Sequence, residues 1–227
     1  MAFYGRHVLP TLTHLAMRSR TLRPERARWV PQATGEVLEV GVGSGLNLPI
    51  YGQGVRKLYA LDPSEGLLRM ARSQAPRVSF PVEFLCEPAE AIPLAAASVD
   101  RVVTTWTLCT IPDPVAALRE MCRVLRPEGR LIFVEHGRAP EPTVVRWQDR
   151  LTPLWRRVAG GCHLNRPIDR LLSLGGLEIL EMHQGYLPGL RVAAYLYRGL
   201  ASPRLLRKGG QFPVRRCGDE NKMHRGE

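Results

Sequence analysis

The stretch from Glu36 to Tyr51, Glu-Val-Leu-Glu-Val-Gly-Val-Gly-Ser-Gly-Leu-Asn-Leu-Pro-Ile-Tyr, is a short apolar run that leads straight into a glycine turn. Val37, Leu38 and Val40 read as a buried β-strand. Gly41, Gly43 and Gly45 then let the backbone turn sharply and approach a ligand closely. Their spacing, G-x-G-x-G, differs from the G-x-G-x-x-G fingerprint that closes on a dinucleotide pyrophosphate. Glu39, two residues before the first glycine, would repel a pyrophosphate and suits an ammonium group instead. By itself such a turn is also what an ordinary strand-to-helix connection looks like.

A second acid, one β-α unit further on, raises the signal. Lys57-Leu-Tyr-Ala-Leu-Asp62 reads as a second strand ending in a carboxylate, followed by Pro63-Ser64 and a helical run from Glu65 to Arg72. In doubly wound α/β folds a carboxylate at the end of the second strand is placed to accept both hydroxyls of an adenosine ribose. An ammonium group and a ribose together describe S-adenosylmethionine, and hence methyl transfer. Glu39, Gly41, Gly43, Gly45, Asn47, Asp62 and Pro63 form the first part of the candidate cofactor site.

The remaining chain alternates regularly. A helix is expected over residues 3–20 with a kink or break at Pro10, and a shorter one from Pro24 to Val30. Strands are expected at 36–41, 56–62, 82–86, 99–105 and 130–136, with helices from Leu46, over 64–75 and from Val115 to Leu125, the last stopped by Pro127-Glu-Gly129. Residues 140–160 form a long amphipathic helical stretch, and 168–174 a short helix closed by Gly175-Gly176. Two closing strands, 177–182 and 192–197, lack a full helix between them. The expected fold is α/β: a single domain with a seven-stranded, mostly parallel sheet, one antiparallel strand, and helices on both faces. Residues 1–31 are expected to form a helical lid that contributes Tyr4 or His7 to the pocket, 32–200 the domain proper, and 201–227 a basic, poorly ordered tail.

At 227 residues with 44% hydrophobic and 23% charged content, the chain has the balance of a soluble globular protein. Cys86, Cys109, Cys122, Cys162 and Cys217 include no C-x-x-C pair and no His/Cys cluster at zinc-finger spacing, so reduced thiols and no metal are expected. No apolar run reaches transmembrane length and no signal-peptide h-region is present, which makes the cytoplasm the expected compartment. The net charge of +11 is concentrated at the ends: residues 1–30 carry six arginines against Glu25. Basic termini with little aromatic interleaving argue against a nucleic-acid partner. Phe3, Val8, Leu9, Leu12, Leu15 and Ala16 form an apolar stripe beside those arginines, which leaves peripheral contact with an anionic membrane open; the alternative is that the stripe packs on the domain. Oligomeric state is not legible.

With these residues in hand, the chain resembles the class I S-adenosylmethionine-dependent methyltransferases over about residues 1–200. Glu39-x-Gly-x-Gly-x-Gly45 is similar to that family's first motif, Asp62 to its ribose acid, and Ala89-Glu-Ala-Ile-Pro-Leu94 to its adenine-side loop. Leu125-Arg-Pro-Glu-Gly-Arg-Leu131 is similar to its post-helix turn. Thr105-Trp-Thr-Leu-Cys-Thr-Ile111, Glu135-His136 and Gly161-Cys-His-Leu-Asn-Arg166 resemble one branch, the alkyl-thiol methyltransferases and their bacterial relatives, with quinone C-methyltransferases and phospholipid N-methyltransferases next. The resemblance implies a Rossmann-like methyltransferase fold and adds Ala89, Glu90 and Thr105 to the cofactor site. Pro88 departs from the aspartate the family often has before the adenine-loop alanine, which leaves the Ala89 backbone N–H for that contact.

Methyl transfer from a sulfonium is an in-line displacement on an activated carbon, so holding donor and nucleophile and excluding water is most of the task. His136, after the fifth strand at the carboxyl edge of the sheet, is the candidate catalytic base; a histidine that only bonds a loop is the alternative. Thr105 and Trp106 should border the methyl group and the acceptor, and Tyr4, Trp106 and Arg166 the acceptor pocket. Thr-Trp-Thr-Leu at this place is not the Asn/Asp-Pro-Pro-aromatic tetrad of enzymes that methylate base amino groups. Glu135, His163 and Arg166 are candidates for shaping the pocket or for structural bonds. Cys109 and Cys162, in apolar surroundings, read as packing residues. The favoured acceptor is a small lipophilic thiol; the alternatives are a phospholipid or quinone acceptor, or a non-catalytic cofactor-binding scaffold.

Overall fold

The structure, a computed structural model, describes residues 9–204. Seven strands form one sheet in the order β3-β2-β1-β4-β5-β7-β6. They are β1 (Gly35–Val40), β2 (Val55–Leu61), β3 (Val82–Leu85), β4 (Val99–Thr105), β5 (Leu125–His136), β6 (Leu177–Tyr186) and β7 (Tyr195–Pro203). β7 runs antiparallel to both β5 and β6, and the other pairings are parallel, as expected.

β1 lies between β2 and β4, and its Val37, Leu38, Glu39 and Val40 are all buried. The chain leaves β1 toward β2 on one side and later returns to β4 on the other. That reversal opens a crevice at the carboxyl end of β1, where open α/β sheets bind ligands.

Helices α2 (Arg23–Trp29) and α3 (Glu65–Arg72) cover one face, where Trp29, Leu68 and Ala71 pack with Val37, Val103 and Ile132. Helices α4 (Pro114–Val124) and α6 (Ile168–Leu174) cover the other through Leu118, Met121 and Leu172 against Leu38, Val102 and Phe133. Asp113 caps α4 by accepting from the Val115 and Ala116 N–H groups at 3.1 and 3.0 Å, and Pro114 fills the first helical position, where no N–H is needed. α1 (Leu9–Met17), α5 (Pro142–Val158) and the single turn α7 (Arg191–Ala194) complete the fold.

Two boundaries differ from the sequence reading. The helix expected from Leu46 is only a 3-10 turn at Leu48–Ile50, because Asn47 spends its amide on tertiary bonds and Pro49 removes a backbone donor. The start of the helix expected over residues 3–20 lies outside the described residues, within which Pro10 belongs to α1. β7 begins at Tyr195 and continues to Pro203, past the expected ends of both the strand and the domain. Gly199 ends no strand there. A Cβ on it would lie 1.9 Å from the Glu181 carbonyl oxygen, and β6 shifts register between Ile179 and Glu181, so glycine is what lets β7 pass the bulge.

Candidate cofactor and acceptor site

The glycine turn leaves the end of β1 with φ values of +74°, +55° and +79° at Gly41, Gly43 and Gly45. The three glycines serve different purposes. A Cβ at Gly41 would fall 2.3 Å from the Thr107 side chain, and one at Gly45 would fall 3.0 Å from the backbone of Ala71 in α3. At Gly43 the nearest atom would be 3.9 Å away, so this position faces open space. Its N–H donates to Asp62 Oδ2 at 3.0 Å, and Ser64 N–H donates to Oδ1 at 2.8 Å. These bonds fix the carboxylate at the end of β2 beside the turn. Burial raises the Asp62 carboxyl above its usual range, with the two N–H groups opposing the shift.

Glu39 is 1% exposed and accepts from Asn47 Nδ2 at 2.7 Å and from the Tyr51 hydroxyl at 2.9 Å. Burial pushes its carboxyl up to about 7 against those hydrogen bonds and the attraction of Arg26. Asn47 also donates to Thr105 Oγ1 at 3.0 Å, joining the glycine turn to the end of β4, while its own Oδ1 is buried without a partner. Arg26, from α2, is buried; its Nη1 donates to the Met17 carbonyl at 3.0 Å and its guanidinium lies 4.7 Å from the centre of the Trp106 ring. Burial lowers the Arg26 guanidinium to about 10, opposed by Glu39. A buried acid and a buried base thus face each other electrostatically beside the turn. This donor set fits the amino-acid end of S-adenosylmethionine, Glu39 for its ammonium and Arg26 for its carboxylate, with Asp62 for its ribose. His14 of α1 reaches Ser44 Oγ at 2.7 Å, and a cavity of about 600 Å³ lined by Met17, Arg23, Arg26, Leu46 and Ile50 lies beneath the α1–α2 segment.

Beyond β4 the chain turns through Trp106, whose φ of +52° is unusual for a side chain of this size. Glu135, fully buried, holds that turn. It accepts from Thr104 Oγ1 at 2.6 Å, Thr107 N–H at 3.1 Å and Leu108 N–H at 3.1 Å. Burial raises its carboxyl to about 7 despite these donors. Arg166 holds the next turn through Nη1, which donates to the Leu108 and Ile111 carbonyls.

His136, the last residue of β5, places Nε2 3.2 Å from Cys162 Sγ, and its Nδ1 is buried with no partner. Cys109 donates to the Trp106 carbonyl at 3.5 Å, and the ligand-type atoms of Cys109, His136 and Cys162 all lie within 4.8 Å of one another. The Cys109 thiol, with His136 beside it, pulls the Cys162 thiol down to about 4, while Cys109 itself is raised well above its ordinary value. Burial lowers the His136 imidazole, and the Cys162 sulfur more than offsets it, so the net direction is up.

The structure therefore joins Glu39, Asn47 and Thr105, and Gly43 with Asp62, by hydrogen bonds at the ends of β1, β2 and β4, with Gly41 against Thr107, Gly45 against α3 and Trp106 under Arg26. Ala89 is buried nearby in the core, Pro63 is exposed, and Glu90 accepts from the Asp113 N–H at 3.1 Å. Arg166 bonds backbone carbonyls, and Tyr4 lies outside the described residues, as does His7. Sequence reasoning missed Arg26 and Tyr51, because an arginine among six near the start and an aromatic after a turn carry no local signal. It also missed Gln148, buried in α5, whose amide bonds the carbonyls of Gly137, Leu164 and Val192 and the N–H of Ala139.

A family model described as "Methyltransferase domain" matches residues 38–133. The human protein named thiol S-methyltransferase TMT1B is 37% identical over 158 residues, which are 67% of this chain and 64% of that protein. The chain thus spans a little under two thirds of that relative's length. The phosphatidylethanolamine N-methyltransferase of Cereibacter sphaeroides is 30% identical over 172 residues, 72% of this chain and 80% of that protein. Among solved structures, an S-adenosylmethionine-dependent methyltransferase from Thermotoga maritima superposes with a TM-score of 0.62 at 20% identity, over 89% of this chain and 98% of that one. At that identity the likeness is one of fold.

Proposed function

This chain belongs to the S-adenosylmethionine-dependent methyltransferases, and from that premise we propose that it methylates a small lipophilic acceptor, a thiol in the first instance. The observation that carries the cofactor half is the opposed pair Glu39 and Arg26 beside an open Gly43. The acceptor half is supported by the soft, largely buried Cys109–His136–Cys162 group at the end of β5 and by the similarity to a protein named as a thiol S-methyltransferase.

Bound, the cofactor supplies a methyl group on a positively charged sulfur. Glu39 and Arg26 hold the two ends of its amino-acid moiety, and Asp62 holds the ribose. Ala89 and Glu90 border the adenine. Thr105 and Trp106 border the space between donor and acceptor, and the Arg26 guanidinium over the indole keeps that ring in place. The α1–α2 segment, tied to the domain through His14–Ser44 and Arg26–Trp106 and braced internally by Arg26–Met17, acts as a lid that keeps water from the reacting atoms. His136 is the proposed catalytic residue. Its Nε2 faces Cys162 Sγ at 3.2 Å, and its Nδ1 is buried without a hydrogen-bond partner.

A phospholipid acceptor is the second reading. α5 buries Gln148 and Thr152 and exposes Trp147, Leu151, Leu154 and Trp155, which suits a surface resting on lipid. Calorimetry with S-adenosylhomocysteine on the wild type and Asp62→Ala tests the cofactor site. Loss of charge-assisted bonds should weaken binding at least ~10-fold in the variant. Labelled-methyl transfer to alkyl thiols, with and without phospholipid vesicles, then tests the acceptor. Turnover on vesicles alone would replace the first reading with the second, and no turnover on thiols would end the first.

A further inference from the structure

Three side chains that no spacing rule connects meet at one point. Cys109 lies in the loop after β4, His136 ends β5, and Cys162 lies between α5 and α6; their Sγ, Nε2 and Sγ atoms are mutually within 4.8 Å. Cys109 is 2% exposed and His136 7% exposed, and Cys162 is partly buried. We propose that these three residues form a binding site for a zinc-class divalent cation, with the fourth coordination position open to the sulfur of the acceptor thiol. The metal site stands on the cluster itself; the occupant of the fourth position rests on the thiol reading above.

Geometry, donor chemistry and charge all favour this. Tetrahedral zinc with Zn–S near 2.3 Å and Zn–N near 2.0–2.1 Å sets ligand–ligand edges of about 3.5–3.8 Å. The 3.2 Å separation of His136 Nε2 and Cys162 Sγ, and the 4.8 Å outer limit of the group, bracket those edges. Two thiolates and one imidazole are donors that zinc takes readily and that magnesium or calcium does not. Two thiolates also neutralise a dication, so the loaded site buries no net charge.

The ligand-bearing loops are fixed by bonds that use none of the ligand atoms. Glu135 holds Thr107 and Leu108, Arg166 holds the Leu108 and Ile111 carbonyls, and His163 N–H donates to the Cys109 carbonyl at 2.9 Å. This last bond ties the Cys162 loop to the Cys109 loop. Among the described residues no fourth side-chain donor joins the group. Three protein ligands and one open position is the pattern of a catalytic zinc site rather than a structural one.

In the step this allows, the acceptor's S–H bond breaks as its sulfur binds the metal, and the proton leaves to solvent. A sulfur lone pair then forms the S–CH₃ bond while the methyl–sulfonium bond breaks, giving a thioether and S-adenosylhomocysteine. In the loaded site Nε2 of His136 is a ligand and Nδ1 carries the ring proton, so the metal, and not the imidazole, lowers the thiol's proton affinity.

The test is metal content by mass spectrometry of the full chain purified with zinc, together with absorption spectra of the cobalt(II)-substituted protein. Stoichiometric zinc is expected, with visible cobalt bands and sulfur-to-cobalt charge transfer, all lost in Cys109→Ser and Cys162→Ser. Retained S-adenosylhomocysteine binding certifies that those variants are folded; where one is not, cobalt spectra of the wild type after selective thiol alkylation replace it. Substoichiometric zinc, zinc retained by both variants, or a Cys109–Cys162 disulfide in freshly isolated protein would overturn the site. An alkyl thiol should shift the cobalt bands; unchanged bands would overturn the open fourth position. A shift without methylation of that thiol would leave the metal site intact and count against the thiol reading alone.

Discussion

Glu39 sits where burial brings its titration to neutral pH, even with Arg26 beside it. Its carboxyl is held at about 7 in the folded chain against an ordinary 4.5, so the folded state binds this proton more tightly than the unfolded one. Stability from Glu39 is therefore fully present below pH 4.5 and is lost as pH rises through 7, by an amount on the order of 3 kcal/mol. Glu135, also held at about 7, acts in the same direction. The expected outcome is a melting temperature of the ligand-free protein that falls between pH 5 and pH 8, with a shallower fall in Glu39→Gln. The ammonium of a bound ligand reverses this by stabilising the ionised carboxylate. The melting-point gain from S-adenosylhomocysteine should thus grow with pH over the same window in the wild type and stay flat in Glu39→Gln; equal slopes would remove Glu39 from the ligand site. The glycines separate in the same residue-by-residue way. Gly43→Ala adds a methyl group to open space at a φ of +55°, so it should lose ligand binding at a stability cost of only about 1–2 kcal/mol. Gly45→Ala drives the same methyl group to 3.0 Å from the backbone of α3, and denaturant unfolding should show the larger loss for that variant.

At the scale of elements, what was legible in the sequence was whatever depends on neighbours in the chain. β1 and its glycine turn, the Asp62 strand end and the Asp113-Pro114 start of α4 each carry their cause within a few residues. The mostly parallel sheet followed from the alternation, and the one antiparallel strand followed from a missing crossover helix, whereas the strand order came only with the structure. What stayed hidden depends on partners far away. The 3-10 turn replaces a helix after Gly45 because Asn47 is needed by Glu39 and Thr105, and Thr105 is 58 residues distant. Arg26 is one arginine in a basic stretch until Trp106 comes under it. Cys109 and Cys162 read as packing residues because their common neighbour, His136, is contributed by a different strand. The α1–α2 segment is the element whose role this changes most. Arg26→Ala removes the cation beside Glu39 and the bond to the Met17 carbonyl together, so it should weaken S-adenosylhomocysteine binding and expose α1–α2 to proteolysis. Arg26→Lys keeps the charge without the planar guanidinium over the indole, and should recover part of the affinity but less of the protection. Equal protection in all three proteins would mean that this contact does not hold the segment down.

For the molecule as a whole, the excess of positive charge and the faces of the outer helices have to be considered together. A helix on a globular domain ordinarily turns its apolar side inward. α5 does the opposite: Gln148 and Thr152 are buried while Trp147, Leu151, Leu154 and Trp155 are exposed, flanked by the exposed Arg146, Arg150, Arg156 and Arg157. α1 adjoins the end of α5, since Leu9 lies against Gly160, and it exposes Leu12 and Leu15. No helix among the described residues is long and apolar enough to cross a membrane. Arginines beside tryptophans and leucines suit an anionic bilayer, where the apolar side chains enter the interface and the guanidinium groups meet headgroup phosphates. The full chain, with its net charge of +11, is therefore expected to float with vesicles containing phosphatidylserine. Raising salt from about 0.1 to 1 M shortens the screening length from about 10 to about 3 Å, so binding should weaken without vanishing, because the apolar part is not screened. Leu151→Glu with Leu154→Glu should abolish flotation while leaving S-adenosylhomocysteine affinity unchanged, since both side chains are exposed on α5. If the double variant floats as well as the wild type, charge alone brings the chain to the bilayer, and the outward apolar face of α5 serves another partner.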